Sequence, residues 1–574
     1  MLYVWPSKWG GVGRSARPAV AEGQAAETGG SKGEMDTAGR AERDIVSTGQ
    51  MQPEHHALDT ERTKLRKVLK RWDLIGFTFV ALIGVDAVSS LTSYGKGEIF
   101  FWMAMAALLY LLPSGLLAAE MGTAFPVEGG PYAWPRLAFG RTVGAFTAVF
   151  YWMANPIWIG GTLAAAVVAT LGSGLMFDSA DGIGTVWSIV VGVAVVWAIT
   201  GFAIVELKWG KLAGIIGALV RAIVIVVFVG LVVWFLVKNG KPAGTITLSS
   251  MKPSLAGFLA VFGLLQFMFV GFELSNSAGE EMRDARRDVP AMIGRSGILI
   301  MLANYVFLTG ILLVIPLAQL SNVSGFVGAF DAVSGVLGGA QGSMGWIIGV
   351  LLILVTVTTG GVWIQGSARC VAVAGLDGAA PLVLGKFSKA GTPIVMNIIS
   401  GIIGTIFVVL VFTLTSGSLG AAFAVMFSLT ISLTAFPYFF IFPAAIVLRK
   451  KYPHIRRPYK VPGGVVGLWT CVISTMFVLV VTVMALVWPG SLESLLGRPY
   501  SIVDSWGTSR FFFESVTLGT LAVIIASAYV FALVGRRNVA KGIVSDKDLL
   551  ENLDVSPATS PGVTELEPVP VGAS

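Results

Sequence analysis

Two short stretches decide the fold: Ile83-Gly84-Val85-Asp86-Ala87-Val88-Ser89-Ser90 and Val270-Gly271-Phe272-Glu273-Leu274-Ser275-Asn276-Ser277. Each reads aliphatic, glycine, apolar, acid, two variable positions, then a polar pair ending in serine. The second follows the first at a constant offset of 187 residues. Asp86 and Glu273 both lie deep in apolar runs. An ionised side chain at the centre of a membrane span costs about 2.5–3.5 kcal/mol on insertion scales. Glycine and serine beside each acid lower helix propensity and let the backbone open. Opened backbone is tolerated at membrane depth only where it lines a cavity or is buried in protein. The plain alternative is chance, since the chain holds 70 glycines and small residues also serve ordinary helix packing.

Outward from these stretches, apolar runs of spanning length recur near 73–95, 98–119, 143–172, 183–203, 212–237, 256–280, 294–316, 344–374, 394–415, 420–447, 466–488 and 512–535. A hydrocarbon core about 30 Å thick needs about 20 apolar helical residues to cross. Hydrophobic residues make up 55% of the chain and charged residues 13%, against about 25% charged in a soluble domain. The reading is an all-α integral membrane protein of about twelve transmembrane helices; the runs lack the short alternation of a membrane barrel. Loop charge tests the map independently. With the N-terminus inside, inner segments hold clusters such as Arg62–Arg71, Arg283–Arg295 and Arg449–Lys460, whereas outer segments hold Lys96, Lys238, Lys241, Lys252, Arg498 and Arg510. Positive residues stay cytoplasmic, so both termini are placed inside a cell (inner or plasma) membrane.

Residues 1–70 and 537–574 are polar, with no sustained apolar periodicity, and read as disordered cytoplasmic tails. Between them lie a ten-helix core over 71–448, a basic loop over 449–465 and two further helices over 466–536. The 187-residue offset divides the core into repeats of five helices, about 71–238 and 254–448. Five is odd, so the second repeat enters the membrane from the opposite side, which is the inverted plan of many secondary transporters. Cys370 and Cys471 fall in or beside apolar runs, and His55, His56 and His454 lie outside the spans, which leaves no disulfide framework, metal cluster or cofactor site to expect. The net charge of +7 is spread over inner loops. That distribution suits topology and contact with membrane lipid, not nucleic acid.

Four segments carry a family resemblance: Ala119-Glu120-Met121-Gly122-Thr123-Ala124-Phe125-Pro126 with Glu128-Gly129-Gly130-Pro131-Tyr132-Ala133-Trp134; Phe269 to Glu273 with Gly279-Glu280-Glu281 and Arg286-Arg287-Asp288-Val289-Pro290; Trp363 to Arg369 with Asp377-Gly378 and Gly391-Thr392-Pro393; and Arg457-Pro458-Tyr459-Lys460-Val461-Pro462. In this order, between these spans, they resemble the amino acid–polyamine–organocation transporter superfamily, and most of all its glutamate:GABA antiporter branch. The resemblance implies a LeuT-like core with substrate bound at breaks in helices one and six. Gly84, Asp86, Ser89 and Ser90 fall at the first break, where Val88-Ser89-Ser90 stands in place of the family's glycine-rich turn. Phe267 matches an aromatic gating position, and Val270 and Gly271 would offer carbonyls to an amine beside Glu273. Trp363 either stacks on a substrate cation or packs as one of 16 tryptophans; Asn155 and Trp158 of span three are further candidates. Arg221 lies where relatives have a lysine whose ammonium replaces a sodium ion. It is either a permanent substitute cation or a structural partner of an acid or of carbonyls. A guanidinium does not release its proton, so any coupling proton falls to Glu273 or Asp86.

The expected activity is secondary transport of amino acids or related amines such as polyamines, by sodium-independent exchange or proton coupling, with a slight preference for cations carried mainly by Asp86. The alternatives are a glutamate/GABA-type or neutral amino acid antiporter and, from other classes, a non-transporting sensor or a pore. An enzyme is not expected, because the spans hold no nucleophile–base pair or metal-ligand set. Monomer and homodimer stay equally open.

Overall fold

The computed structural model describes residues 69–92, 97–178, 183–204, 207–242, 249–315, 325–334, 337, 341–389, 391–414, 419–503 and 507–542. The two expected tails therefore lie outside the described residues, except at their inner ends. Sixteen α-helices carry the description that follows: α1 Arg71–Leu82, α2 Val85–Thr92, α3 Glu98–Ala124, α4 Gly130–Phe139, α5 Arg141–Gly172, α6 Thr185–Ile204, α7 Leu207–Asn239, α8 Leu255–Met268, α9 Ala285–Val314, α10 Gly325–Ser334, α11 Gln341–Leu376, α12 Ile394–Leu414, α13 Leu419–Lys451, α14 Gly464–Val487, α15 Ser491–Leu495 and α16 Arg510–Ala540. Among the described residues there is no strand, and ten helices are long and apolar enough to cross a membrane. Two further apolar segments are interrupted: α1 and α2 are parted at Ile83-Gly84, and α8 gives way to short 3₁₀ turns over Leu274–Ser277 and Gly279–Glu281.

The solvent-facing logic of a soluble protein is inverted, as hydrocarbon requires. One face of α7 presents Ile216, Leu219, Ile223, Val226, Val233 and Val237 to the surroundings, while Arg221 of the same helix is 1% exposed. Depth in the bundle varies: 89% of the apolar stretch of α5 is buried, against 22% of that of α16. α5 is thus the central helix and α16 a peripheral one. Close packing at the centre depends on missing side chains. A Cβ on Gly160 of α5 would lie 2.2 Å from the carbonyl oxygen of Gly404 on α12, so the two backbones approach as closely as small residues allow. A π-helical turn over Ile159–Leu163 falls at this contact, just beyond Pro156, whose ring nitrogen has no proton to donate to the helix.

Candidate functional site

The first break leaves carbonyls that α1 does not use. Ile83 takes an extended conformation, φ −103° and ψ 94°. The carbonyl of Ala81 accepts the Trp363 Nε1 proton at 2.9 Å, and that of Ile83 accepts from Arg221 Nε at 3.3 Å. Both freed acceptors are thus satisfied inside the protein. At the second break Gly271 has φ +130°, a conformation that L side chains rarely adopt. A Cβ there would lie 2.9 Å from Leu82 Cδ1 and 3.0 Å from Trp363 Cζ2. The two breaks are therefore packed against each other, with Trp363 of α11 touching both. The Gly271 carbonyl, expected to face an amine, accepts from Leu274 N at 3.1 Å; Val270 is buried beside it.

Glu273 is 4% exposed. Tyr151 of α5 donates to its Oε1 at 2.9 Å, and Tyr438 of α13 donates to the same oxygen. Two phenols on opposite helices thus hold one buried carboxyl, which suits the rule that buried polar groups are hydrogen-bonded. Beside this triad is a narrow cavity of about 20 Å³ lined by Tyr151, Asn155, Trp158, Phe267, Trp363, Thr430, Thr434 and Pro437, among others. That is room for little more than a water, about 10–15 Å³ by the same measure. Its rings interlock: Trp158 meets Phe267 at 6.1 Å and Trp363 at 6.3 Å, both edge to face, and Phe267 meets Phe427 of α13 at 5.3 Å. Asn155 Nδ2 bonds the Tyr151 carbonyl one turn back at 2.8 Å.

Of the residues singled out by sequence, Asn155, Trp158, Phe267 and Trp363 come together around this cavity. Glu273 sits behind it, reached through Tyr151. Gly84, Val270 and Gly271 form the breaks, and Ser90 is buried on α2. Asp86 and Ser89 have helical backbone on α2, but their side chains lie outside the described residues. Sequence reasoning missed Tyr151, Tyr438, Thr430 and Thr434. A phenol in the middle of an apolar span was the available signal, since a buried Tyr hydroxyl needs a partner.

Arg221 makes five hydrogen bonds: to the Ile83, Gly217 and Val355 carbonyls at 3.3, 3.0 and 3.0 Å, to Thr358 Oγ1 at 3.0 Å, and to Thr359 Oγ1. All five acceptors are neutral oxygens. The guanidinium pins the first break to α7 and α11 like a coordinated cation.

Towards the ends of α3, α11 and α13, buried charges lock the bundle. Arg369 pairs with Glu128, which precedes α4, and with Glu281 at 2.9 Å, and its Nη2 donates to the Gly391 carbonyl at 2.9 Å. Glu120 of α3 is held by Arg449, by Arg457 and by the Val461 amide. Asp377 accepts from Tyr132, from Arg136 at 2.7 Å and from Arg141 at 3.5 Å. The motif acids and arginines are thus mutual partners that tie α3 to α13 and α11 to the start of α4.

A family profile described as amino acid permease matches residues 69–506. An uncharacterised transporter of Legionella pneumophila is 29% identical over 408 residues, 70% of this chain and 85% of its own length. A probable agmatine/putrescine antiporter of Lactococcus lactis is 29% identical over 386 residues, 66% and 79% of the two chains. A glutamate/gamma-aminobutyrate antiporter of the same species is 26% identical over 419 residues, 69% and 80%. The profile spans both breaks, the Tyr151–Glu273–Tyr438 triad and the charge locks, and the chain belongs to the amino acid permease family of multi-pass membrane transporters.

Proposed function

We propose that this permease is a sodium-independent exchanger or proton-coupled carrier that prefers cationic amines, such as polyamines or basic amino acids, over acidic and neutral amino acids. One observation carries the reading: Tyr151 both lines the aromatic cavity and donates to Glu273. An ammonium group entering this cavity as it widens would meet the Tyr151, Trp158, Phe267 and Trp363 rings and a carboxyl one hydrogen bond away. A desolvated cation over an indole gains about 2 kcal/mol or more. Arg221, fixed by five neutral acceptors, supports a permanent cation in place of sodium; Glu273 remains the group able to exchange a proton. We place the carrier in the cell membrane with both termini cytoplasmic, following the loop charges. A glutamate/gamma-aminobutyrate antiporter is among the similar proteins, so exchange of acidic or neutral substrates is the second reading.

The test is competition. In proteoliposomes, labelled putrescine uptake is expected to be blocked by agmatine, arginine and polyamines, to resist glutamate and neutral amino acids, and to proceed equally in sodium and choline media. Trp363→Leu is expected to weaken the apparent affinity for cations about 30-fold, with Trp363→Phe in between. Uptake of labelled glutamate or γ-aminobutyrate, with none of labelled putrescine, would establish the second reading instead. Asp86 has its own test. Asp86→Asn is expected to lower cation uptake and spare any neutral substrate; unchanged cation uptake would remove Asp86 from the argument.

A further inference from the structure

A second cavity, unrelated to the aromatic one, opens where three helices end in charge. α5 begins at Arg141, α13 ends in Arg449-Lys450-Lys451, and the apolar run of α16 gives way to Arg536-Arg537. Between these ends is a cleft of about 600 Å³ whose lining includes Arg136, Arg141, Lys451 and Arg536 together with Leu137 and Tyr452 and, among the described residues, no carboxylate. Asp377, behind the lining, is shared by Arg136 and Arg141. Lys451 Nζ donates to the neutral Leu137 carbonyl at 2.9 Å, and Arg536 is exposed. The cleft is built, not incidental. Asn538 of α16 donates to the Gly378 carbonyl at 3.2 Å, which ties the end of α16 that carries Arg536 to the loop carrying Asp377.

We propose that this cleft binds the phosphate of an anionic phospholipid. Cationic lining selects an anion, and the setting selects an amphiphile. Charged helix ends mark the level of lipid headgroups, where basic pockets between spans hold acidic head groups. The face of α16 that carries Arg536 also exposes Tyr529 at 55% and Ile525 at 44%, a surface on which acyl chains can lie. A headgroup phosphate placed between Arg141, Lys451 and Arg536 bridges α5, α13 and α16. It would also compete with Asp377 for Arg136 and Arg141, so occupancy bears on the charge lock around α4.

Native mass spectrometry of the full chain in detergent, offered equal amounts of phosphatidylglycerol and phosphatidylcholine, tests this. The wild type is expected to retain phosphatidylglycerol at least about tenfold over phosphatidylcholine. The Lys451→Gln/Arg536→Gln variant should lose that preference, and Lys386→Gln/Lys389→Gln, with the same charge change elsewhere, should keep it. Inorganic phosphate should not displace the lipid. Equal retention of both lipids by the wild type, preference surviving in the cleft variant, or full displacement by phosphate would each overturn the proposal. Arg536→Gln alone, at an exposed helix end, gives the same readout if the double variant does not fold.

Discussion

Arg369→Ala is expected to make Cys370 react with a maleimide about a hundredfold faster than in the parent chain, both in a Cys471→Ser background. Cys370 is fully buried and free, and it adjoins the arginine that holds Glu128 and Glu281. Removing one partner of a buried ion pair costs about 3–5 kcal/mol, because the remaining charge stays out of water. Here two carboxylates, 4% and 1% exposed in their side chains, lose the same cation. That cost falls on the arrangement in which both acids are buried; separating α11 from the turn at Glu281 and the segment at Glu128 lets both acids reach water. A shift of about 3 kcal/mol is roughly a hundredfold in population. Arg369→Lys is expected to fall between, since an ammonium lacks the planar fork that spans two carboxylates and the Gly391 carbonyl. An unchanged labelling rate in Arg369→Ala, together with an unchanged melting temperature, would show that the lock does not hold these segments together.

Gly271→Ala is expected to reduce transport by about two orders of magnitude while the chain still reaches the membrane. Two costs coincide. A residue with a side chain held at φ +130° carries about 1–3 kcal/mol of backbone strain. The new methyl would also press on Leu82 Cδ1 and Trp363 Cζ2 at 2.9 and 3.0 Å, and overpacking of this kind costs about 1–3 kcal/mol. Relief requires either the second break to straighten or Trp363 to leave the Ala81 carbonyl. Adding Leu82→Ala separates the causes: it should recover the steric part and leave the backbone part. Uptake within a factor of about two of wild type in Gly271→Ala alone would mean that the breaks need not touch during transport, because the sum of the two costs corresponds to far more than that.

What the sequence disclosed about this fold was the local part. Gly84 and Gly271 announce their breaks because helix propensity and the cost of a buried acid act within a few residues. The apolar runs announce spans because hydrocarbon thickness sets their length. Asn155, a further candidate of span three, lines the cavity. Partnership did not show. Arg369 and Glu128 are 241 residues apart and Tyr438 and Glu273 are 165 apart, and nothing in either neighbourhood says which distant charge or hydroxyl completes it. Thr430 and Thr434 read as ordinary span residues, since a threonine in a helix can satisfy its hydroxyl on the preceding turn, as Thr434 does on the Thr430 carbonyl at 2.7 Å. Arg221 was legible as an unusual mid-span charge, but its neutral acceptors came from the break after α1, from α7 and from α11, and emerged only with the tertiary structure.

The anchoring of Arg221 has a consequence for energetics across a polarised bilayer. A charge tied by five bonds to three helices stays put, so the membrane voltage does no work on it as the carrier turns over. In the proposed exchange without a coupled proton, the work then depends on the cargoes alone. Trading a dication for a monocation moves one net elementary charge and draws about 2.3 kcal/mol per 100 mV, whereas trading two monocations is indifferent to voltage and responds to their concentration ratios.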